Sequence, residues 1–207
     1  MPENLHKLFV ISSPSGGGKT SLINKLFEDS RSANFEKSIS DTSRQKRQGD
    51  LEGKDYYFLS EKDFKDKIKK EEYVEYATVF GNFYGTSKEE IKKKYNNSNL
   101  ILELDWQGAY AVKELFDDAK LIFLVPPSLD DLKQRLIKRN LDSSKEIESR
   151  LSEAKKEISK SEMYDYLVLN DDFDKAFEDL SQILFEGISP IDFNSRTSKD
   201  LIKRLVE

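Results

Sequence analysis

Apolar positions along the chain fall into two rhythms. Lys7–Ser12 (KLFVIS), Leu100–Leu104 (LILEL), Leu121–Val125 (LIFLV) and Tyr166–Leu169 (YLVL) are short, nearly unbroken apolar runs. Runs of that kind predict strands buried on both faces. Between them the spacing turns helical. Leu22, Ile23, Leu26 and Phe27 share one face of a helix that starts at Lys19, and Ala109–Phe116 reads as a second helix. Leu129–Arg139 and Lys145–Lys160 predict two charged helices joined by a polar loop around Asn140–Ser143. Phe173–Phe185 predicts another helix, with Phe173, Phe177, Leu180 and Leu184 on its apolar face. Strands alternating with helices predict an α/β fold of three layers, with a parallel central sheet covered on both faces. Residues 38–98 break the rhythm. They hold short mixed segments with Tyr56, Tyr57, Tyr73, Tyr76 and Tyr84, punctuated by Gly49, Gly53, Gly81 and Gly85, and predict a small α+β insertion. From Gly187 onward a loop and a short terminal helix are expected, with Leu201, Ile202 and Leu205 apolar.

Composition narrows the chemistry. The 207 residues carry 34 Lys and Arg against 39 Asp and Glu, a net charge of −5. An acidic chain is a poor nucleic-acid coat, so no nucleic-acid partner is expected. The 37% hydrophobic share is low for a globular protein, yet 13 Phe and 9 Tyr in periodic clusters argue against disorder. Without cysteine there are no disulfides, thiolate metal sites or cysteine nucleophiles. One histidine, His6, cannot build a multi-histidine zinc site. No apolar run approaches the ~18 residues of a membrane helix, and the N-terminus lacks a signal-peptide design. A cytoplasmic protein without a membrane partner is the expectation.

The candidate chemistry begins where the first strand ends. Ser13-Pro14-Ser15-Gly16-Gly17-Gly18-Lys19-Thr20 has the form of a phosphate loop. Main-chain N–H groups converge on phosphate oxygens only where no Cβ intrudes, and the following helix adds its positive end. Lys19 supplies a charge for the β- and γ-phosphates, and Thr20 a hydroxyl for Mg²⁺. The strict pattern has Gly where this chain has Ser13. The bland alternative is a flexible glycine turn before a helix. Asp105 closes an apolar strand, where an acid can steady Mg²⁺ through water. Asp105-x-x-Gly108 also matches a GTPase switch, but no guanine-reading Asn-Lys-x-Asp follows. Residues 131–160 hold nine basic against six acidic side chains, +3 in a chain of −5, which points to an anionic ligand.

Further motifs carry a resemblance. Ser40-Asp41-Thr42-Ser43-Arg44-Gln45-Lys46-Arg47-Gln48-Gly49-Asp50, Gly53-Lys54-Asp55-Tyr56-Tyr57-Phe58, Glu75-Tyr76-Ala77, Gly81-Asn82-Phe83-Tyr84-Gly85-Thr86 and Glu103-Leu104-Asp105-Trp106-Gln107-Gly108 follow the phosphate loop in order. Arg135-Leu136-Ile137-Lys138-Arg139, Arg150-Leu151 and Asn170-Asp171 come after. Together, over about residues 6–187, the chain resembles a guanylate kinase. Gln45-Lys46 stands for a frequent Thr-Pro, Ser43 for Thr and Thr86 for Ser.

The resemblance implies transfer of the γ-phosphoryl of ATP to GMP (or dGMP), with Mg²⁺, by a monomer or homodimer. It implies a core of about residues 1–37, 99–128 and 161–207, a GMP-binding insertion of about 38–98 and a helical lid of about 129–160. It makes Arg44, Arg47, Tyr56 and Tyr84 a clamp on the GMP phosphate. On spacing alone, Arg44 and Arg47 read as solvated surface charge. Glu75 is implied to accept from guanine N1–H and N2–H₂, aided by Ser40, Gly85, Thr86 and Asp105; by itself it reads as an exposed strand residue. Ser13–Thr20, Arg135, Arg139, Asn170 and Asp171 are implied to hold ATP, with Lys19, Arg44, Arg135, Arg139 and Arg150 around the transferring group. A guanylate-kinase-like domain that only binds protein is the main rival, and it is opposed by the intact Gly16, Gly18, Lys19 and Thr20. A kinase for another mononucleotide is opposed by Glu75.

Overall fold

The computed structural model describes residues 6–47, 49–79, 81–138, 144–191 and 195–206. The expectations for Gln48, Arg139 and the loop Asn140–Ser143 lie outside the described residues. A central sheet of five strands has the order β2-β7-β1-β8-β9. Its members are β1 (Leu8–Ser12), β2 (Phe35–Lys37), β7 (Asn99–Glu103), β8 (Lys120–Val125) and β9 (Tyr166–Leu169). The pairs β2–β7 and β8–β9 are parallel, with Phe35 opposite Asn99 and Ile122 opposite Tyr166. Leu8–Ile11, Leu100–Leu102 and Leu121–Val125 are almost wholly buried, as unbroken apolar strands of a two-faced sheet must be. By its internal contacts the chain forms two compact units.

The first unit takes the chain up to Phe9 together with Asn34–Ala119. It holds a second sheet of order β4-β3-β6-β5. Its strands are β3 (Asp41–Thr42), β4 (Tyr57–Phe58), β5 (Tyr73–Val79) and β6 (Asn82–Ser87). β5 and β6 are antiparallel, with a bulge between Tyr73 and Glu75 that returns Glu75 to register opposite Thr86. The helices are α2 (Glu61–Lys69), α3 (Lys88–Tyr95) and α4 (Trp106–Leu115). Ser60 and Ser87 cap α2 and α3 by accepting from the N–H groups of Asp63 and Glu90. The small core is aromatic: the Phe64 ring lies 4.6 Å from Tyr73 and 5.3 Å from Phe83, both stacked. Gly85 is needed there. A Cβ would stand 3.0 Å from the Glu75 carbonyl, the Phe64 ring and the Tyr73 ring at once. Buried Asp41 ties three elements, accepting from Tyr73 Oη at 2.8 Å and Lys67 Nζ at 2.5 Å.

The second unit takes Val10–Ala33 and the chain from Lys120 onward. It holds α1 (Lys19–Glu28), α5 (Leu129–Lys138), α6 (Ser144–Ser159), α7 (Phe173–Ser181) and α8 (Arg196–Val206). α1 buries Leu22, Ile23 and Leu26, while Phe27 reaches the surface. The helix expected over Phe173–Phe185 is α-helical only to Ser181 and ends in a π-helical turn, Gln182–Glu186. Phe173, expected on the buried face, is 40% exposed; Ala176 and Leu180 carry the burial. α6 packs on α5 and α8, with Ala154, Ile158 and Leu205 buried. Among the described residues no helix is long and apolar enough to cross a membrane.

Candidate active site

In the second unit β1 runs straight into the phosphate loop. Gly17 N–H donates to Pro14 O at 2.8 Å, and the Ser13 hydroxyl donates to the same carbonyl at 3.1 Å. Ser13 folds back on its own loop and does not adopt a positive φ, so its backbone does not require glycine. Pro14 is buried and Ser15 half-buried. Gly18 sits at φ +89°, a left-handed conformation that closes the loop, and α1 starts at the next residue. Lys19 is half-buried and Thr20 exposed in the first turn of α1. With no acidic residue in that turn, the positive end of α1 stays uncancelled.

Asn170 and Arg150 bond to this loop, and Arg135 bonds to Asn170. Asn170, 4% exposed, donates from Nδ2 to Gly17 O at 2.7 Å. Its own carbonyl accepts from Arg135 Nη2 at 2.7 Å. Arg150, on α6, donates from Nη1 to Ser15 Oγ at 2.9 Å. A cavity of about 380 Å³ opens beside them, lined by Gly16, Gly18, Ser21, Arg135, Lys138, Asn170, Asp171 and Phe173. The Asp171 carboxylate accepts from Asp172 N–H at 2.7 Å, in the turn that starts α7. Sequence reasoning missed Phe173 and Lys138 as cavity residues. Periodicity puts Phe173 in the core, whereas it is exposed and lines the cavity.

The first unit holds the residues expected to take GMP. Glu75 on β5 faces Thr86 on β6. Burial pushes the Glu75 carboxyl up to about 7; Thr86 beside it favours the charged form, and the Asp105 carboxylate opposes it. Asp105 caps α4: its Oδ1 accepts from Gly108 N–H at 2.9 Å. Arg44 is held by Asp50, Nη1 to Oδ2 2.9 Å, with its guanidinium carbon 5.4 Å from the Tyr56 ring centre and 5.5 Å from that of Phe58. Tyr56 and Tyr84 meet edge-on at 5.7 Å. Burial, then the Glu103 carboxylate, raise the Tyr56 hydroxyl above its ordinary value, so it remains a donor at neutral pH. Arg47 is not drawn into this cluster. Its side chain is exposed, and its backbone N–H donates to Asp50 Oδ2 at 2.7 Å. Ser40, half-buried, precedes β3 and its carbonyl accepts from Tyr57 N–H at 3.0 Å.

Two charges here had no assigned role. Asp50 is signalled weakly by the three-residue spacing from Arg47. Glu103 pairs with Lys37 at 2.6 Å, a contact that joins residues 66 apart and that no local pattern announces. Among the described residues no group of three or more His, Cys, Asp and Glu could cage a metal ion.

A parallel α/β sheet whose first strand leads through a glycine-rich loop into a helix defines a phosphate-loop nucleotide-binding protein. The guanylate kinase family model matches residues 5–187. The chain is 46% identical over 184 residues to a guanylate kinase of Wolbachia sp. subsp. Brugia malayi, covering 88% of this chain and 93% of that one. It is 41% identical over 205 residues to a guanylate kinase of Coxiella burnetii, covering 99% and 98%. The crystal structure of guanylate kinase from Anaplasma phagocytophilum matches with a TM-score of 0.70 at 32% identity, covering 99% and 98%. The chain belongs to the guanylate kinase family. Its activity is the family's, ATP-dependent phosphorylation of GMP, a reaction that generally needs a divalent metal.

Proposed function

We propose that the two units divide the substrates, with GMP read by the first and the ATP phosphates held by the second. The observation that carries this is Glu75: a half-buried residue opposite Thr86 and near Asp105, its carboxyl held at about 7. Such a group gains from meeting two N–H donors side by side. Guanine offers that pair at N1 and N2, and adenine does not. Arg44, with Tyr56 and Tyr84, takes the phosphate; the GMP dianion displaces Asp50 from the guanidinium fork. Arg47, exposed beside them, adds a second fork on binding.

For ATP, the loop N–H groups, Lys19, Arg135 and Arg150 surround the phosphates, and the adenine lies against Phe173 in the cavity beside Asn170 and Asp171. Arg139 joins them from outside the described residues. The divalent ion is Mg²⁺, which keeps most of its shell from water and phosphate oxygens, so that one Thr20 hydroxyl suffices as a protein ligand. When bound, it neutralises charge on the triphosphate. Phosphoryl transfer asks little covalent chemistry of the protein: cations around the moving group and exclusion of water. The segment 38–98 acts as the acceptor-binding part and 129–160, with α5 and α6, as a lid over the triphosphate. The setting is cytoplasmic, in keeping with a chain that lacks cysteine.

The test is a coupled assay of ADP release with GMP, dGMP, AMP, CMP and UMP, on the wild-type chain and on Glu75→Gln. A charge-assisted hydrogen bond of about 1.5–3 kcal/mol predicts a loss of about ten- to a hundredfold in kcat/KM for GMP in the variant, with AMP little changed. Unaltered GMP over AMP preference would refute the assignment.

A further inference from the structure

Asn170 stands where three parts of the second unit converge. Its main-chain N–H donates to Val125 O at 2.8 Å and prolongs the β8–β9 ladder by one residue. Its main-chain carbonyl accepts from Arg135 Nη2, and its side-chain Nδ2 donates to Gly17 O, both at 2.7 Å. Only the amide nitrogen can meet a carbonyl, so the orientation of this side chain is fixed by its partner. The Gly17–Gly18 peptide is trans, which puts its C=O and N–H on opposite sides. Flipped, that peptide would aim a carbonyl oxygen at the triphosphate. Held by Asn170, it turns the carbonyl away and leaves the Gly18 N–H to the anion. The room for this clamp comes from the missing side chain at Gly18, where a Cβ would run into the Asn170 amide nitrogen.

We propose that Asn170 is a positioning residue of the phosphate cradle: its side chain locks the Gly17–Gly18 peptide in the anion-accepting orientation, and its carbonyl holds Arg135 at the same cavity. This rests on reading residues 13–20 as the ATP phosphate site. It assigns the Asn170 side chain to the loop and leaves the adenine to its neighbours, Phe173 among them.

Equilibrium binding of ATP, inorganic tripolyphosphate and GMP to the full chain separates the possibilities, with Asn170→Ala and the isosteric Asn170→Asp alongside wild type. A lost hydrogen bond with a freed peptide predicts a loss of about tenfold, about 1.4 kcal/mol, for ATP and for tripolyphosphate alike in Asn170→Ala. GMP binding stays at the wild-type value. In Asn170→Asp the carboxylate repels the Gly17 carbonyl, so the loss is larger at pH 8. It shrinks toward wild type, measured at each pH, as acid restores a donor to the side chain. In turnover, KM for ATP rises while KM for GMP holds. A variant that loses ATP but not tripolyphosphate touches the adenine, and that overturns the proposal; so does Asn170→Asp losing GMP as well, the mark of a general fold role, or triphosphate binding unchanged in both. A wild-type chain blind to tripolyphosphate would instead bring down the phosphate-cradle reading beneath it.

Discussion

Glu75 is where burial and charge meet in one side chain. Its carboxyl is pushed up to about 7 by burial first and by Asp105 after Thr86 has pulled the other way. Folding therefore raises its proton affinity, and the unfolded chain holds the proton less tightly. The sign follows: this group favours the fold below its unfolded pKa near 4.5, and that contribution is lost as pH rises through 7. Ionising this carboxyl in the folded protein thus gives up on the order of 3 kcal/mol. On the proposed role of Glu75, guanine binds that ionised form. We expect kcat/KM for GMP to fall with a single ionisation near 7 as the solution is acidified, and Glu75→Gln to lack that limb. The GMP phosphate titrates near pH 6, so the comparison of the two pH profiles, rather than either alone, reads the residue.

At the scale of elements, the unbroken strands were plain in the sequence because burial on both faces leaves no polar position to confuse the rhythm. β2 was not, since Phe35-Glu36-Lys37 has no apolar run and joins the sheet by backbone pairing with Asn99–Ile101. The insertion was legible as a break but not strand by strand. Tyr73-Val74-Glu75-Tyr76 has no clean alternation, and the bulge between Tyr73 and Glu75 is the physical reason. Asp105 shows how an element and a site share one residue. Its carboxylate was visible as a strand-end acid, but its grip on Gly108 N–H makes it the N-cap of α4. Asn caps as well as Asp, and Ala does not. Asp105→Ala should lower stability by about 1 kcal/mol while Asp105→Asn leaves the melting temperature near wild type. Both remove the charge beside Glu75, so both should move the acid limb of the GMP profile to lower pH. A limb that stays put in Asp105→Asn would separate the cap from any electrostatic role.

For the whole molecule, the phosphate loop was legible because its chemistry is written in consecutive residues. The Arg44–Asp50 and Lys37–Glu103 pairs and the exposure of Phe173 were not, because they depend on what the fold brings alongside. The two compact units give this a measurable consequence. Glu75, Arg44, Tyr56, Tyr84 and Asp105 belong to one, and Lys19, Arg135, Arg150 and Asn170 to the other. A ligand that binds only the native state stabilises it by about 2.7 kcal/mol at a hundred times its Kd. For a chain of this size that is a melting shift of roughly 5–10 °C. If the substrates are divided as proposed, Lys19→Met abolishes the shift given by ATP and keeps that given by GMP, and Arg44→Met does the reverse. Thermal melts of the two variants, each with either nucleotide, should show this crossed pattern. A single substitution that erases both shifts would mean that the nucleotides share one site, and phosphoryl transfer from one to the other would then have no geometry in which to occur.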